Sequence, residues 1–211
     1  MALSAALHEL CLTSVEVLPF DGAVIHLMTT ESVIGVAAAS GPEAAAVGDL
    51  PFVTGVGPCL DAHRMRRPVL IPDLGAVAAR WPGYADAMLA HGMSAVSSLP
   101  LGTGALGLGV LDLYAATPGS LDQRELASAM SMGRLATDLL LTGGVGPGEL
   151  VGEVVDHRAE IYQAQGALVV ALGVPLAEAM VRMRAHAFVL DVPLLELARM
   201  VLGFETVPEE W

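Results

Sequence analysis

Four glycines and a proline stand within the six residues Gly143–Gly144–Val145–Gly146–Pro147–Gly148. A glycine inside a helix costs about 1 kcal/mol relative to alanine, and a proline about 3 kcal/mol. No helix crosses such a stretch without a large penalty, so the chain divides here. The residues before it suffice for one mixed domain, and those after it for a small bundle. The expected division is 1–142 for the first domain, 143–149 for a linker, 150–204 for the bundle and 205–211 for an acidic tail.

Hydrophobic residues make up 54% of the chain and charged residues 16%, which excludes intrinsic disorder. A mean hydropathy of +0.62 raises the question of a membrane span. The longest uncharged run, Gly92–Leu111, contains Pro100, Gly102, Gly104, Gly107 and Gly109. It suits two buried strands and a turn better than a spanning helix. No arginine or lysine precedes Arg64, so no signal peptide is expected, and the chain reads as cytoplasmic. Cys11 and Cys59 offer no disulfide framework, and with six scattered histidines no metal site is expected. The net charge of −13 opposes broad binding to nucleic acid. All ten basic residues are arginine, whose planar fork still permits a small, shape-reading site.

In the first domain, Leu3, Ala6, Leu7 and Leu10 repeat with helical spacing. The segments 23–28 and 33–38 read as a hairpin, followed by short helices at 42–50 and 59–63 and a strand at 68–71. A helix is expected from Trp81 to Leu89, then antiparallel strands at 95–101 and 105–114. A long helix, 121–141, carries an imperfect heptad-like stripe of Leu121, Leu126, Met130, Leu135 and Leu139. The order predicts an α+β fold with an antiparallel sheet flanked by helices.

The remainder predicts three helices. The first runs over about 150–172, with Val154, Ile161, Leu168 and Leu172 on one stripe, and Gly173 stops it. Pro175 opens the second, with the stripe Leu176, Met180, Met183, Ala187 and Leu190. Pro193 opens the third, with Leu194, Leu197, Ala198 and Val201 facing the same core. Connections this short make the helices antiparallel neighbours.

Two families are matched by these segments. Gly55–Val56–Gly57–Pro58–Cys59–Leu60–Asp61–Ala62, then Arg67–Pro68–Val69, Asp73–Leu74, Arg80–Trp81–Pro82 and Leu99–Pro100–Leu101, resemble the GAF domains of actinobacterial signalling proteins. Ile161, Ala164–Gln165–Gly166, Leu168, Ala179, Met183–Arg184, Ala187 and Leu197–Ala198 resemble the ANTAR domain, a three-helix RNA-binding module. The pairing resembles a transcription antitermination regulator. It implies binding to tandem hairpins in nascent mRNA, which keeps a terminator from forming, with a homodimer as the assembly and no catalysis. The chain departs from the ANTAR pattern at Gln165, where relatives often have lysine. From Glu149 onward there are four arginines against ten carboxylates, which predicts weak binding to generic RNA.

The RNA contacts that the resemblance implies are Arg158, Ala164, Gln165, Gly166, Arg182, Arg184 and Ala187. Gln165 offers a donor and an acceptor to a base edge. Gly166 removes a side chain where RNA or a neighbouring helix approaches closely. Glu178, Arg182 and His186, four residues apart, suit either a polar RNA-facing edge or an ordinary solvated face with one ion pair. Cys59, Asp61 and Trp81 are the candidate lining of a sensor pocket, with Tyr84 beside them; the cofactor, if the pocket takes one, is unknown. The alternative reading is a GAF-type redox enzyme or sensor using Cys59, with His63 one turn away and the C-terminal helices structural. A plain protein-interaction module is a third reading.

Overall fold

The computed structural model describes residues 3–30, 32–142, 151–152, 154–155 and 158–203. The expected linker and acidic tail lie outside the described residues. The chain forms two compact units, Met1–Val154 and Val155–Trp211.

The first unit begins with α1 (Leu3–Val17), β1 (Gly22–Met28) and β2 (Val33–Ala39). Three short helices follow: α2 (Pro42–Gly48), α3 (Leu50–Thr54) and α4 (Pro58–Met65). Then come β3 (Val69–Ile71), a 3-10 turn (Gly75–Arg80), α5 (Tyr84–Ala90), β4 (Ala95–Thr103), β5 (Leu106–Ala115) and α6 (Gln123–Thr142). The helix expected over 42–50 ends at Gly48 and a second begins at Leu50; Asp49 between them keeps helical angles, and Pro51, with no N–H, cannot continue the ladder to Val47. The helix expected at Trp81 starts at Tyr84, after Gly83 with φ 78°.

The five strands form one antiparallel sheet in the order β2-β1-β5-β4-β3. Strand side chains alternate between faces, so the register sorts two cores. Ala23, Ile25, Leu27, Leu99, Leu101, Leu111 and Leu113 pack with α1 and α6. Val24, Val69, Ile71, Val96 and Tyr114 pack on the other face with α2, α4 and α5. Gly109 lets β1 come close to β5, since a Cβ there would stand 2.0 Å from the His26 carbonyl oxygen.

The heptad-like stripe of α6 is half-buried at Leu121, Met130 and Leu139, which pack against the first core, and the fully buried face is a different one. Ala129, Gly133, Ala136, Thr137 and Leu140 face the sheet, and Leu135 is exposed. Small residues let the helix sit close to β4, where Thr137 Oγ1 accepts from the Gly102 N–H at 3.2 Å.

In the second unit, α7 (Ala159–Leu172), α8 (Leu176–Leu190) and α9 (Leu194–Gly203) bury Ile161, Ala164, Leu168, Ala179, Met183, Ala187, Leu197, Ala198 and Val201. Gly173 (φ 65°) and Asp191 (φ 53°) end α7 and α8 in the left-handed region; both residue types tolerate it. The continuous helix expected from 150 to 172 is broken at Arg158, whose φ of −123° and ψ of 17° are not helical. Val154, before the break, belongs to the first unit's core. Leu176 and Leu190, the first and last residues of α8, are exposed, not buried. Among the described residues no single helix is long and apolar enough to cross a membrane.

Candidate functional site

A group of polar side chains lies buried in the core between the sheet and the short helices. Asp112 sits on the central strand β5, opposite Val24 of β1 and Ser98 of β4. His26 pairs with Val110, so it is the diagonal neighbour of Asp112 on the same face, within reach of a long side chain. Tyr114, two residues on, shares that face. His26 Nε2 stands 3.1 Å from Asp112 Oδ2, and the Tyr114 hydroxyl donates to the same oxygen at 3.1 Å. Cys59, on the first turn of α4, completes the group. The ligating atoms of His26, Cys59 and Asp112 all lie within 4.8 Å of one another, and all three residues are fully buried.

The polar groups here are only partly satisfied. Among the described residues, Asp112 Oδ1, His26 Nδ1, Tyr84 OH and Ser98 Oγ have no hydrogen-bond partner. Such atoms cost about 1–3 kcal/mol each when left unpaired. Burial, reinforced by the Asp112 charge, pushes the Cys59 thiol well above its ordinary range, against the opposing pull of the Leu60 and Cys59 backbone amides. Burial and Asp112 likewise raise the Tyr84 and Tyr114 hydroxyls well above 10.0. Burial therefore favours a neutral thiol and neutral phenols in this group.

The expected pocket residues divide. Cys59 and Tyr84 belong to this buried group. Asp61 does not: its carboxylate accepts from Trp81 Nε1 at 3.2 Å and from Arg80 at 2.9 Å, with the Arg80 guanidinium 4.4 Å from the Trp81 ring centre. The two form an outer clasp holding α4 to the segment before α5. His63 is buried, with the backbone of Gly109 and Thr29 as its hydrogen-bonding neighbours. Sequence reasoning missed His26, Asp112, Tyr114 and Ser98.

In the three-helix unit the expected contact residues also divide. Ala164 and Ala187 are core. Gln165 is buried, and its Nε2 donates to the Leu176 carbonyl at 2.7 Å, tying α7 to the start of α8. Gly166 faces open space, with no atom within 4 Å of a Cβ built there. Arg182 donates to Glu178, and the His186 Nδ1 donates to the Arg182 carbonyl at 3.1 Å, as an ordinary helix face does. Arg158, Tyr162 and Arg184 form a cluster. Arg158 hydrogen-bonds the Tyr162 side chain, and burial lowers Arg184 to about 10, with Tyr162 opposing and Arg158 reinforcing that shift. Tyr162 was not among the expected contacts.

Comparison with known proteins identifies the first unit. The GAF domain family model matches residues 1–141. The chain belongs to the GAF family. Its first unit is a GAF domain, and the three-helix unit lies outside the match. The fold is similar to the GAF domain region of a protein from Geobacter sulfurreducens PCA (TM-score 0.54, 18% identity, 65% of this chain and 92% of that one). It is also similar to the GAF domain of an Acinetobacter phosphoenolpyruvate-protein phosphotransferase (TM-score 0.51, 13% identity, 67% and 83%). A third similar structure is the type II free methionine-R-sulfoxide reductase of Thermoplasma acidophilum (TM-score 0.51, 14% identity, 65% and 91%). No curated protein matches the chain in sequence. The reductase corrects the expectation that this architecture implies no catalysis, because the same fold serves an enzyme. At these identities the likeness shows the fold alone.

Proposed function

We propose that the protein is a signal-responsive RNA-binding regulator of transcription antitermination. The GAF unit receives the signal. The three-helix unit binds paired stem-loops in a nascent transcript and keeps the terminator from forming. The observation that carries this reading is Gly166. It stands in the interior of α7, within the Ala164–Gln165–Gly166 triplet, where glycine costs about 1 kcal/mol relative to alanine. Nothing within the described residues requires it, since a side chain there would meet open space. A bare helix surface beside the Arg158–Tyr162–Arg184 cluster suits close approach by a looped nucleotide, whose ring faces and edges are exposed. In this reading Gly166, Arg158, Arg184 and Tyr162 form the contact face, with Arg182 at its margin. Ala164, Gln165 and Ala187 hold that face in shape from behind.

The test is titration of the full chain with a tandem-hairpin transcript, recovered by sequencing RNA that co-purifies with it, against a single-hairpin control. Arg184→Gln should weaken tandem-hairpin binding by roughly tenfold, the scale of a lost charge-assisted contact. With two arginines on the face, log K against log salt should fall with a slope near −1.4, about −0.7 per phosphate. A slope beyond about −4, or equal affinity for every RNA offered, would mean bulk electrostatic binding and would refute the reading.

A further inference from the structure

We propose that His26, Cys59 and Asp112 form a site for one divalent transition-metal ion of the zinc class inside the GAF unit. The geometry is close to what such an ion needs. Tetrahedral bonds of about 2.0–2.3 Å to nitrogen, oxygen and sulfur set the ligand atoms roughly 3.3–3.5 Å apart. His26 Nε2 and Asp112 Oδ2 are 3.1 Å apart, and the three ligating atoms already lie within 4.8 Å. Small side-chain rotations complete the triangle.

The donor chemistry selects the ion. One imidazole, one thiolate and one carboxylate suit a borderline-soft cation, whereas calcium and magnesium take oxygen donors alone. Charge favours occupancy as well. A dipositive ion matched by the Cys59 thiolate and the Asp112 carboxylate leaves a neutral centre in a buried position, with His26 as a neutral ligand. In the balance, the ion enters, the Cys59 thiol releases its proton to solvent, and the His26 proton resides on Nδ1. The Leu60 and Cys59 backbone amides, which favour the charged sulfur, then support the thiolate. The carboxylate keeps its bond from the Tyr114 hydroxyl, and Asp112 Oδ1, unpartnered among the described residues, is available to the ion. Three protein ligands leave a fourth position for water or another small ligand, in a core that also buries the unpartnered Tyr84 hydroxyl. The ligands come from β1, α4 and β5, so the ion would lock a short helix onto the sheet.

Because all three ligands are buried, loading is tested on full chain produced in zinc- or cobalt-supplemented medium and then passed through a chelating resin. Elemental analysis should find one ion per chain. The cobalt form should show a thiolate-to-cobalt charge-transfer band. Cys59→Ser should abolish the band and lower metal content by roughly tenfold or more, and Asp112→Asn should lower the content similarly. Cys11→Ala, which removes the thiol in the opposite core, should change neither. Far-UV circular dichroism confirms that each variant is folded; should Asp112→Asn unfold, Cys59→Ser decides. A folded wild type without stoichiometric metal, or a band and metal content untouched by Cys59→Ser, overturns the proposal. Failure of RNA binding would leave this result unaffected.

Discussion

Replacing Gly166 by alanine separates a glycine kept for an outside partner from one kept by chance. Within the unit, a Cβ at this position meets nothing within 4 Å, so no clash opposes the methyl group. The gain is then the helix propensity difference, about 1 kcal/mol in favour of alanine. Native-state hydrogen exchange of the full chain reads it directly, because protection in α7 (Ala159–Leu172) reports the local opening free energy. A gain of about 1 kcal/mol slows exchange roughly fivefold, since 1.4 kcal/mol corresponds to a factor of ten. Binding should move the other way. A methyl inserted into a close contact costs about 1–3 kcal/mol, which lowers affinity for tandem hairpins about 5–150-fold. A more stable helix that binds RNA less well cannot arise from damage to the fold. Slower exchange with unchanged affinity would remove Gly166 from the contact face. Faster exchange would refute the claim that the position is open.

Gln165→Ala should act in the opposite sense on stability: it removes the 2.7 Å bond to the Leu176 carbonyl, which keeps its place in the α8 backbone ladder, so exchange at the α7–α8 junction should quicken by an amount equivalent to about 0.5–1.5 kcal/mol. Gln165→Lys, whose ammonium can donate to the same carbonyl, should recover part of the loss; no difference between the two variants would show that the bond is idle. In the first unit, burial and the nearby Arg66 charge lower the His63 pKa below 6.5. The unfolded chain therefore binds the extra proton, and stability should fall as pH drops below 6.5, levelling off beneath the folded value. Urea midpoints at pH 7.5 and 5.5, read from Trp81 in a Trp211→Phe background, should show a smaller decline for His63→Gln than for the parent, and equal declines would refute the assignment.

The elements were legible because their signals are local. Alternating apolar residues, Gly57–Pro58 at the start of α4, and Pro175 and Pro193 before α8 and α9 each act within a few residues. The break at Arg158 carries no glycine or proline to mark it, and so α7 was expected to start eight or nine residues too early. The buried stripe of α6 was hidden for a different reason. Hydrophobic patterning favours large residues, whereas the sheet takes Ala129, Gly133 and Ala136 because they permit close packing.

The buried polar group was the hardest part to foresee, and the reason is topological. His26 and Asp112 lie 86 residues apart and meet only because β5 inserts between β1 and β4. Cys59 reaches them from a helix with no sequence spacing to either. A faint signal did exist: one histidine and one aspartate interrupt otherwise apolar strands, at positions facing a core. A buried polar group of that kind is costly unless paired, so two of them in neighbouring strands already imply a shared site. The same reasoning weakens Asp61 and Trp81, which had the better motif. Trp81 is buried in the same core, but its N–H bonds Asp61, which Arg80 also holds, and this leaves the core chemistry to residues that no motif joined.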